Sequence, residues 1–144
     1  MLWPWVSLKI DQKSIQIKLT CSQSITINVL ECQEALGMRT GAISDAQITA
    51  SSIWDFRYEA YQGRLNFQGI PRKSGSWSAG RNDLYQWLEV FLGFLLYNVT
   101  GVATQGRSDH DQWVTSYSLR YSFDGGMFQD YSEDRLVDKV RKTA

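Results

Sequence analysis

The sequence has little of what catalysis or metal binding usually requires. In 144 residues it has one histidine and two cysteines. That histidine, His110, lies in the polar run Arg107-Ser108-Asp109-His110-Asp111, which is typical of a solvated loop. The sequence contains no glycine-rich phosphate-binding motif and no cluster of His and Cys at metal-ligand spacing. These absences favour a binding module over an enzyme, with no cofactor.

The sequence also has no excess of charge of one sign and no long apolar run. Lys+Arg and Asp+Glu number 15 each, so the net charge is zero, whereas proteins that bind nucleic acid carry a basic surplus. The longest apolar run, Val90–Tyr97, is far shorter than the ~20 residues of a membrane-spanning helix. Pro4 and Lys9 interrupt the apolar N-terminus, which is not a typical signal peptide. Nucleic acid is therefore excluded as the main partner.

The two cysteines, Cys21 and Cys32, leave two alternatives open. They form a disulfide bridge in an oxidising compartment, or they are two unrelated thiols. Two residues are too few to decide the compartment.

What the sequence does have is aromatic residues and alternation of apolar with polar positions. Six Trp, seven Tyr and six Phe are present. Alternation predicts a hairpin over residues 8–19 and further strands, and Asp124-Gly125-Gly126 supplies a turn. The other predicted strands are 24–30, 43–50, 86–92, 99–105, 117–122 and 128–131. Residues 133–142 have helical spacing, but we interpret them as an irregular end. Many short strands between turns indicate an all-β sandwich or barrel.

One aromatic segment has two interpretations. Residues 53–59 place Trp54, Phe56 and Tyr58 at alternate positions, with Asp55, Arg57 and Glu59 between them. The segment is either a half-buried strand with its rings in the core or a loop that presents its rings to a ligand. Alternation alone favours the strand.

A set of short motifs resembles the discoidin, or coagulation factor 5/8 type C, domain family. They include Ala50-Ser51-Ser52, Gln86-Trp87-Leu88-Glu89-Val90 and Thr104-Gln105-Gly106. The matching stretches, in the family's order and spacing, are 32–38, 43–52, 63–66, 75–80, 86–90, 99–107 and 117–122. Residues 1–31 fall outside the resemblance and form a β-rich N-terminal extension of unassigned role.

The resemblance implies a distorted jelly-roll β-barrel of antiparallel strands, of the galactose-binding-like kind, with binding loops at one end. It also implies a cell-adhesion or recognition role outside the cell, as part of a larger protein. The family pattern places three loops here: loop one (53–62), loop two (70–77) and loop three (107–113). The candidate ligand-binding residues are Trp54, Asp55, Phe56, Arg57, Tyr58, Arg72, Lys73, Arg107, Asp109, His110 and Asp111. Trp77, Trp87 and Trp113, inside or beside the matching motifs, are interpreted as mainly structural.

The sequence also departs from the family pattern. Cys32 matches the family's first cysteine, whose partner lies at the far end of the domain, and this chain stops before that position. We therefore expect a domain over 32–144 that lacks its closing C-terminal strands. A strand from residues 8–30 is one hypothesis for what replaces them, and a Cys21–Cys32 bridge is another for the orphaned cysteine. The sequon at Asn98 leads into a predicted core strand, so we expect it to stay unglycosylated.

Loop charges decide the expected ligand. Loops one and three each combine one base with two acids, and only loop two, with Arg72 and Lys73, is basic. Mixed charges between rings suit cell-surface or matrix glycans and proteins better than an anionic membrane, which remains the alternative. Asp109 and Asp111 are candidate calcium ligands, although two carboxylates alone do not define a site.

Overall fold

A computed structural model describes residues 2–3, 5–10, 14–22, 34–94 and 97–131. The described chain is built from short strands and single 3-10 turns, so the all-β prediction is confirmed. The strands are β1 (Leu2–Trp3), β2 (Trp5–Ile10), β3 (Ser14–Ser22), β4 (Glu34–Ala35), β5 (Ile48–Ala50), β6 (Trp77–Ser78), β7 (Gln86–Phe91), β8 (Tyr97–Gln105), β9 (Tyr117–Ser122) and β10 (Gln129–Asp130). None of the 3-10 segments described could serve as a membrane-spanning helix.

The strands form two antiparallel sheets that share one core. One sheet has the order β1-β8-β3-β4, with β6 also paired to β3, and the other has the order β10-β9-β2-β7-β5. Leu88 and Val90 of β7 are fully buried, and Val99 and Val102 of β8 pack against this cluster. Trp77, at the start of β6, is also fully buried. Both sheets therefore turn their apolar faces toward the same interior.

Strand β7 shows how the sequence specifies its face. Its residues alternate between buried and partly buried positions, and Leu88, Val90 and the following Leu92 lie in the core as predicted. Glu89, on the other face, is half-buried, and this burial raises the pKa of its carboxyl group. A burial pattern that repeats every two residues is typical of a strand with one face against the core.

The predicted hairpin over residues 8–19 is wrong in its pairing, although both strands exist. β2 pairs with β7 and β9, whereas β3 pairs with β8, β4 and β6. β2 and β3 therefore form their backbone hydrogen bonds with other strands and not with each other, and they lie in different sheets. β2 is the central strand of its sheet, between β9 and β7.

The remaining predicted segments differ in extent. Within 43–50 only Ile48–Ala50 is a strand, because Ser44 donates its N–H to Gln47 Oε1 (2.9 Å) and a 3-10 turn precedes it. Strand β10 returns beside β9, with Gln129 opposite Tyr121, as predicted. Strand 24–30, the segment 133–142 and Cys32 lie outside the described residues, so the structure does not test the bridge to Cys21.

The strand register and the contacts between the loops place the three predicted loops at one end of the sheets. Ile10 of β2 lies opposite Gln86 and Tyr117, which are the first residues of β7 and β9. Gln105, the last residue of β8, lies opposite Gln16 near the start of β3. Loop one follows β5 and loop three precedes β9 at this same end. Loop two contacts both of them, through the Ser74 N–H on the Arg57 carbonyl oxygen and the Ser108 N–H on the Gly75 carbonyl oxygen. We call it the loop end.

Candidate ligand-binding loops

Loop one folds back on itself instead of extending. The Asp55 carboxylate accepts the Arg57 backbone N–H at 2.8 Å, and Tyr58 N–H donates to the Asp55 carbonyl oxygen at 3.0 Å. This short-range bonding by an Asp side chain is typical of a turn. Trp54 is 55% exposed and Phe56 61% exposed, whereas Tyr58 is partly buried. The strand interpretation of residues 53–59 is therefore wrong, and the segment is a loop.

A side-chain ion pair stabilises this turn. Arg57 Nη2 lies 2.6 Å from Asp55 Oδ2, and Arg57 Nε donates to Asp55 Oδ1 at 3.1 Å. The hydrogen bonds from Arg57 hold the pKa of Asp55 below its usual value. The charges between the rings of loop one are thus largely neutralised within the loop.

Loop two begins as a tight hairpin. Ile70 and Lys73 exchange backbone hydrogen bonds of 3.1 and 2.9 Å, which leaves Pro71 and Arg72 at the turn. Arg72 has a φ of 70°, a conformation that usually favours glycine and strains an arginine. The turn exposes Ile70, which is 57% exposed, together with the Arg72 side chain. Ile70 was not among the predicted site residues, although an apolar residue directly before Pro71 in a polar loop is a signal for it.

Loops one and two are bonded to each other. Lys73 Nζ lies 2.8 Å from Glu59 Oε2 and donates to the Phe56 carbonyl oxygen at 3.0 Å. The Ser74 N–H donates to the Arg57 carbonyl oxygen at 2.8 Å. Gln62, fully buried, donates its amide to the carbonyl oxygens of Arg57 and Ser74. These bonds fix the backbone that carries Phe56.

Loop three is organised by Arg107. Its Nε and Nη2 donate to the two carboxylate oxygens of Asp109 at 2.7 and 3.0 Å, and its Nη1 donates to Gln112 Oε1 at 2.7 Å. The hydrogen bonds from Arg107 lower the pKa of Asp109 to about 2. The loop is therefore compact, and its central acid stays ionised near neutral pH.

Loop three also contacts both other loops. The Arg107 guanidinium lies 5.6 Å from the centroid of the Tyr58 ring, and that of Arg57 lies 5.7 Å from the same centroid. The Ser108 N–H donates to the Gly75 carbonyl oxygen at 3.5 Å. A Cβ on Gly75 would overlap Ser108 Oγ and lie 2.8 Å from Asp109 Oδ1. Glycine is therefore needed at this crossing of loops two and three.

The candidate calcium ligands do not converge. Both carboxylate oxygens of Asp109 are bound by Arg107, and Asp111 is exposed. His110 is exposed too, with its Nδ1 3.8 Å from Asp109 Oδ1. Within the ranges that the structure describes, no group of three or more His, Cys, Asp or Glu residues is placed to hold a metal ion.

The structure brings most of the predicted site residues into one bonded group of loops. Contacts within or between loops involve the predicted residues of loop one together with Lys73, Arg107 and Asp109. The other three predicted residues, Arg72, His110 and Asp111, lie exposed around them. Trp77 is buried and donates its indole N–H to the Ser52 carbonyl oxygen at 2.9 Å, so its structural interpretation is confirmed. The same interpretation of Trp113 is wrong, since that side chain is 55% exposed.

The comparisons with known proteins agree with this architecture. The model of the F5/8 type C domain family matches residues 47–143. The human EGF-like repeat and discoidin I-like domain-containing protein 3 is 44% identical over 118 residues, which cover 76% of this chain and 24% of that protein. Rat lactadherin is 41% identical over 110 residues, which cover 71% of this chain and 25% of that protein.

Human coagulation factor V is 35% identical over 116 residues, which cover 76% of this chain and 5% of that protein. The chain thus spans a quarter or less of the length of these relatives. No solved structure is significantly similar to the chain. The family match covers more than half of the chain and includes all three loops. The chain therefore belongs to the F5/8 type C, or discoidin, domain family, a family of non-catalytic binding modules.

Proposed function

We propose that this chain is an extracellular recognition module that binds a glycan or a protein ligand with loops one to three. The observation that supports this proposal most is the internal pairing of the loop charges. Arg57 pairs with Asp55, Lys73 with Glu59 and Arg107 with Asp109. Of the predicted basic site residues only Arg72 forms no salt bridge with another described residue.

Paired charges change what the loops offer to a ligand. A membrane of anionic lipid is attracted by unpaired Lys and Arg, each worth about 1 kcal/mol near the surface. Here the paired bases are already neutralised, so the expected electrostatic attraction is small. The exposed Trp54 and Phe56 rings offer apolar faces to a sugar or to a side chain, and the carboxylates beside them accept hydrogen bonds.

Rigidity supports the same function. Hydrogen bonds between Lys73, Ser74 and loop one hold the ring-bearing backbone before any ligand arrives. A preorganised surface loses less conformational entropy when it binds. The loops therefore have the character of a recognition surface with a fixed shape.

A membrane surface is the second candidate, because Phe56 and Ile70 are exposed apolar side chains at the loop end. Burying each fully is worth roughly 1.5–3 kcal/mol, so a few insertions would hold the module on a bilayer. This candidate depends on apolar insertion, with Arg72 adding a single cation.

Sedimentation with lipid vesicles separates the two candidates. The full chain is mixed with vesicles of phosphatidylcholine alone or with phosphatidylserine added, at low and physiological salt. In parallel its binding to a glycan array and to immobilised matrix proteins is measured. We expect weak sedimentation with both vesicles and binding in the second assay that the Trp54→Ala and Phe56→Ala variants lose. Strong, salt-sensitive sedimentation with the anionic vesicles alone would overturn the proposal.

A further inference from the structure

A fourth loop stands at the loop end, outside the three that the resemblance predicts. Loop four (residues 79–85) joins β6 to β7. Leu84 is 63% exposed and Tyr85 is 76% exposed, and Arg81 is exposed as well. Arg81 forms no salt bridge with any described residue, although its charge helps to lower the pKa of Asp83 in the same loop. An aliphatic, an aromatic and a cationic side chain are thus presented together within five residues.

Loop four is attached to the base of loop one. The Trp54 N–H donates to the Ser78 carbonyl oxygen at 2.8 Å, and the Gly80 N–H donates to Ser52 Oγ at 3.0 Å. A Cβ on Gly80 would lie 2.5 Å from the Ile53 carbonyl oxygen, so the two backbones are in direct contact. The surface of loop four is therefore continuous with that of loop one.

A carboxylate holds the exposed residues of loop four in place. Asp83 Oδ1 accepts the Gln86 amide at 2.7 Å and the Tyr85 backbone N–H at 2.9 Å. These two hydrogen bonds lower the pKa of Asp83, the Gln86 amide having the larger effect. Gln86 is buried and also accepts the hydroxyl groups of Ser51 and Ser52 at 2.8 and 2.6 Å. Tyr85 is consequently presented from a backbone that is tied to the residues directly before loop one.

We propose that loop four extends the recognition surface and that its ligand is a protein whose apolar residues are flanked by carboxylates. This inference rests on the proposed function and selects between its two ligand classes. Tyr, Trp and Arg dominate the binding energy of protein interfaces. The aliphatic Ile70 and Leu84 have no hydrogen-bonding group for a sugar but pack well on an apolar side chain. Arg72 and Arg81 are the exposed cations of loops two and four, and they call for acidic partners.

The test uses a library of random 12-residue peptides displayed on phage as the probe. The library is selected against the immobilised full chain, and the affinities of synthetic peptides from selected clones are measured. We expect selected peptides that combine apolar residues with Asp or Glu. We expect Leu84→Ala and Tyr85→Ala each to weaken binding about tenfold, the effect of a hot-spot residue. Tyr85→Phe keeps the ring and should retain most of the affinity.

Two further variants separate this inference from the proposed function. Met127→Ala removes a side chain that is 77% exposed and lies outside the four loops, and should leave binding unchanged. If Phe56→Ala weakens peptide binding but Leu84→Ala and Tyr85→Ala do not, loop four is not part of the surface and the proposed function stands. If Leu84→Ala and Tyr85→Ala leave the binding of every selected peptide unchanged but weaken binding to a glycan array, the assignment of a protein ligand is overturned. If neither Phe56 nor loop four affects any ligand, both proposals fail.

Discussion

Two segments of this molecule carry the same sequence pattern and adopt different structures. Strand β7 and loop one both place aromatic or aliphatic residues at alternate positions, Leu88 and Val90 in β7 and Trp54, Phe56 and Tyr58 in loop one. In β7 the alternation places Leu88 in the core, whereas in loop one it leaves Trp54 and Phe56 exposed. The difference shows that alternation describes a face and does not by itself specify a strand.

The backbone hydrogen bonds explain the difference. β7 is flanked by β2 on one side and β5 on the other, so both edges of the strand are paired. Loop one finds local partners instead, in the Asp55 carboxylate and the Gln62 amide. Buried or half-buried backbone groups need partners in either case, and the available partners decide which structure forms.

The largest expected effect contrasts the two segments directly. Leu88→Ala should lower the free energy of unfolding by about 2–5 kcal/mol, because it leaves a cavity in the core. Phe56→Ala should change that free energy by no more than about 0.5 kcal/mol, because the ring is mostly in water. Urea denaturation of the full chain measures both. Comparable losses for the two variants would mean that loop one is part of the core after all.

Much of the fold could be predicted from the sequence because one-sided burial leaves a period of two. The extent and the burial of β7 agree with that pattern, and the Asp124-Gly125-Gly126 turn predicted the return strand β10. The pairing of β2 and β3 could not be predicted in the same way. Alternation shows which face of a strand is covered, but pairing depends on which neighbours satisfy its backbone.

The candidate site was predictable in position and less so in detail. The motif before loop one placed its residues at the loop end, but the contacts of its side chains with the other loops join residues that are distant in the sequence. Glu59 and Lys73 are one example, and Arg107 stacked on Tyr58 is another. Loop four was missed because Leu84 and Tyr85 precede an apolar strand and look like a continuation of it.

The next effect tests how closely loop one is fitted to its neighbour. Gly80→Ala would place a Cβ 2.5 Å from the Ile53 carbonyl oxygen, and this backbone contact can be relieved only by moving a loop. We expect a loss of about 1–3 kcal/mol in the free energy of unfolding, as for other overpacked sites. Gly126→Ala is the matched control, since its Cβ would meet only Asp124 at 3.6 Å. Equal, small losses in the two variants would show that loops one and four are not closely packed.

The smallest expected effect is on the pH dependence of stability. We expect acid to weaken the attachment of loop one and to leave β7 unchanged. Arg107 contacts Tyr58 while bound to Asp109, whose pKa is lowered from 3.8 to about 2 by the Arg107 hydrogen bonds. Because the folded pKa lies below the unfolded value, the ionised carboxylate stabilises the fold above about pH 4. This stabilisation is lost as the pH falls from 3.8 to about 2.

Asp109→Asn removes the titrating charge and keeps the size of the side chain. The difference between the parent chain and this variant in free energy of unfolding should be at most about 1 kcal/mol near neutral pH, as for partly exposed ion pairs. It should shrink toward zero as the pH approaches 2. Urea denaturation at a series of pH values measures the difference, and NMR titration of the Asp109 carboxyl group gives its pKa directly. The prediction fails if the Asp109 carboxyl group titrates near 3.8 and the stability difference is independent of pH. That result would show that the pairing of Arg107 with Asp109 does not hold loop three against loop one in solution.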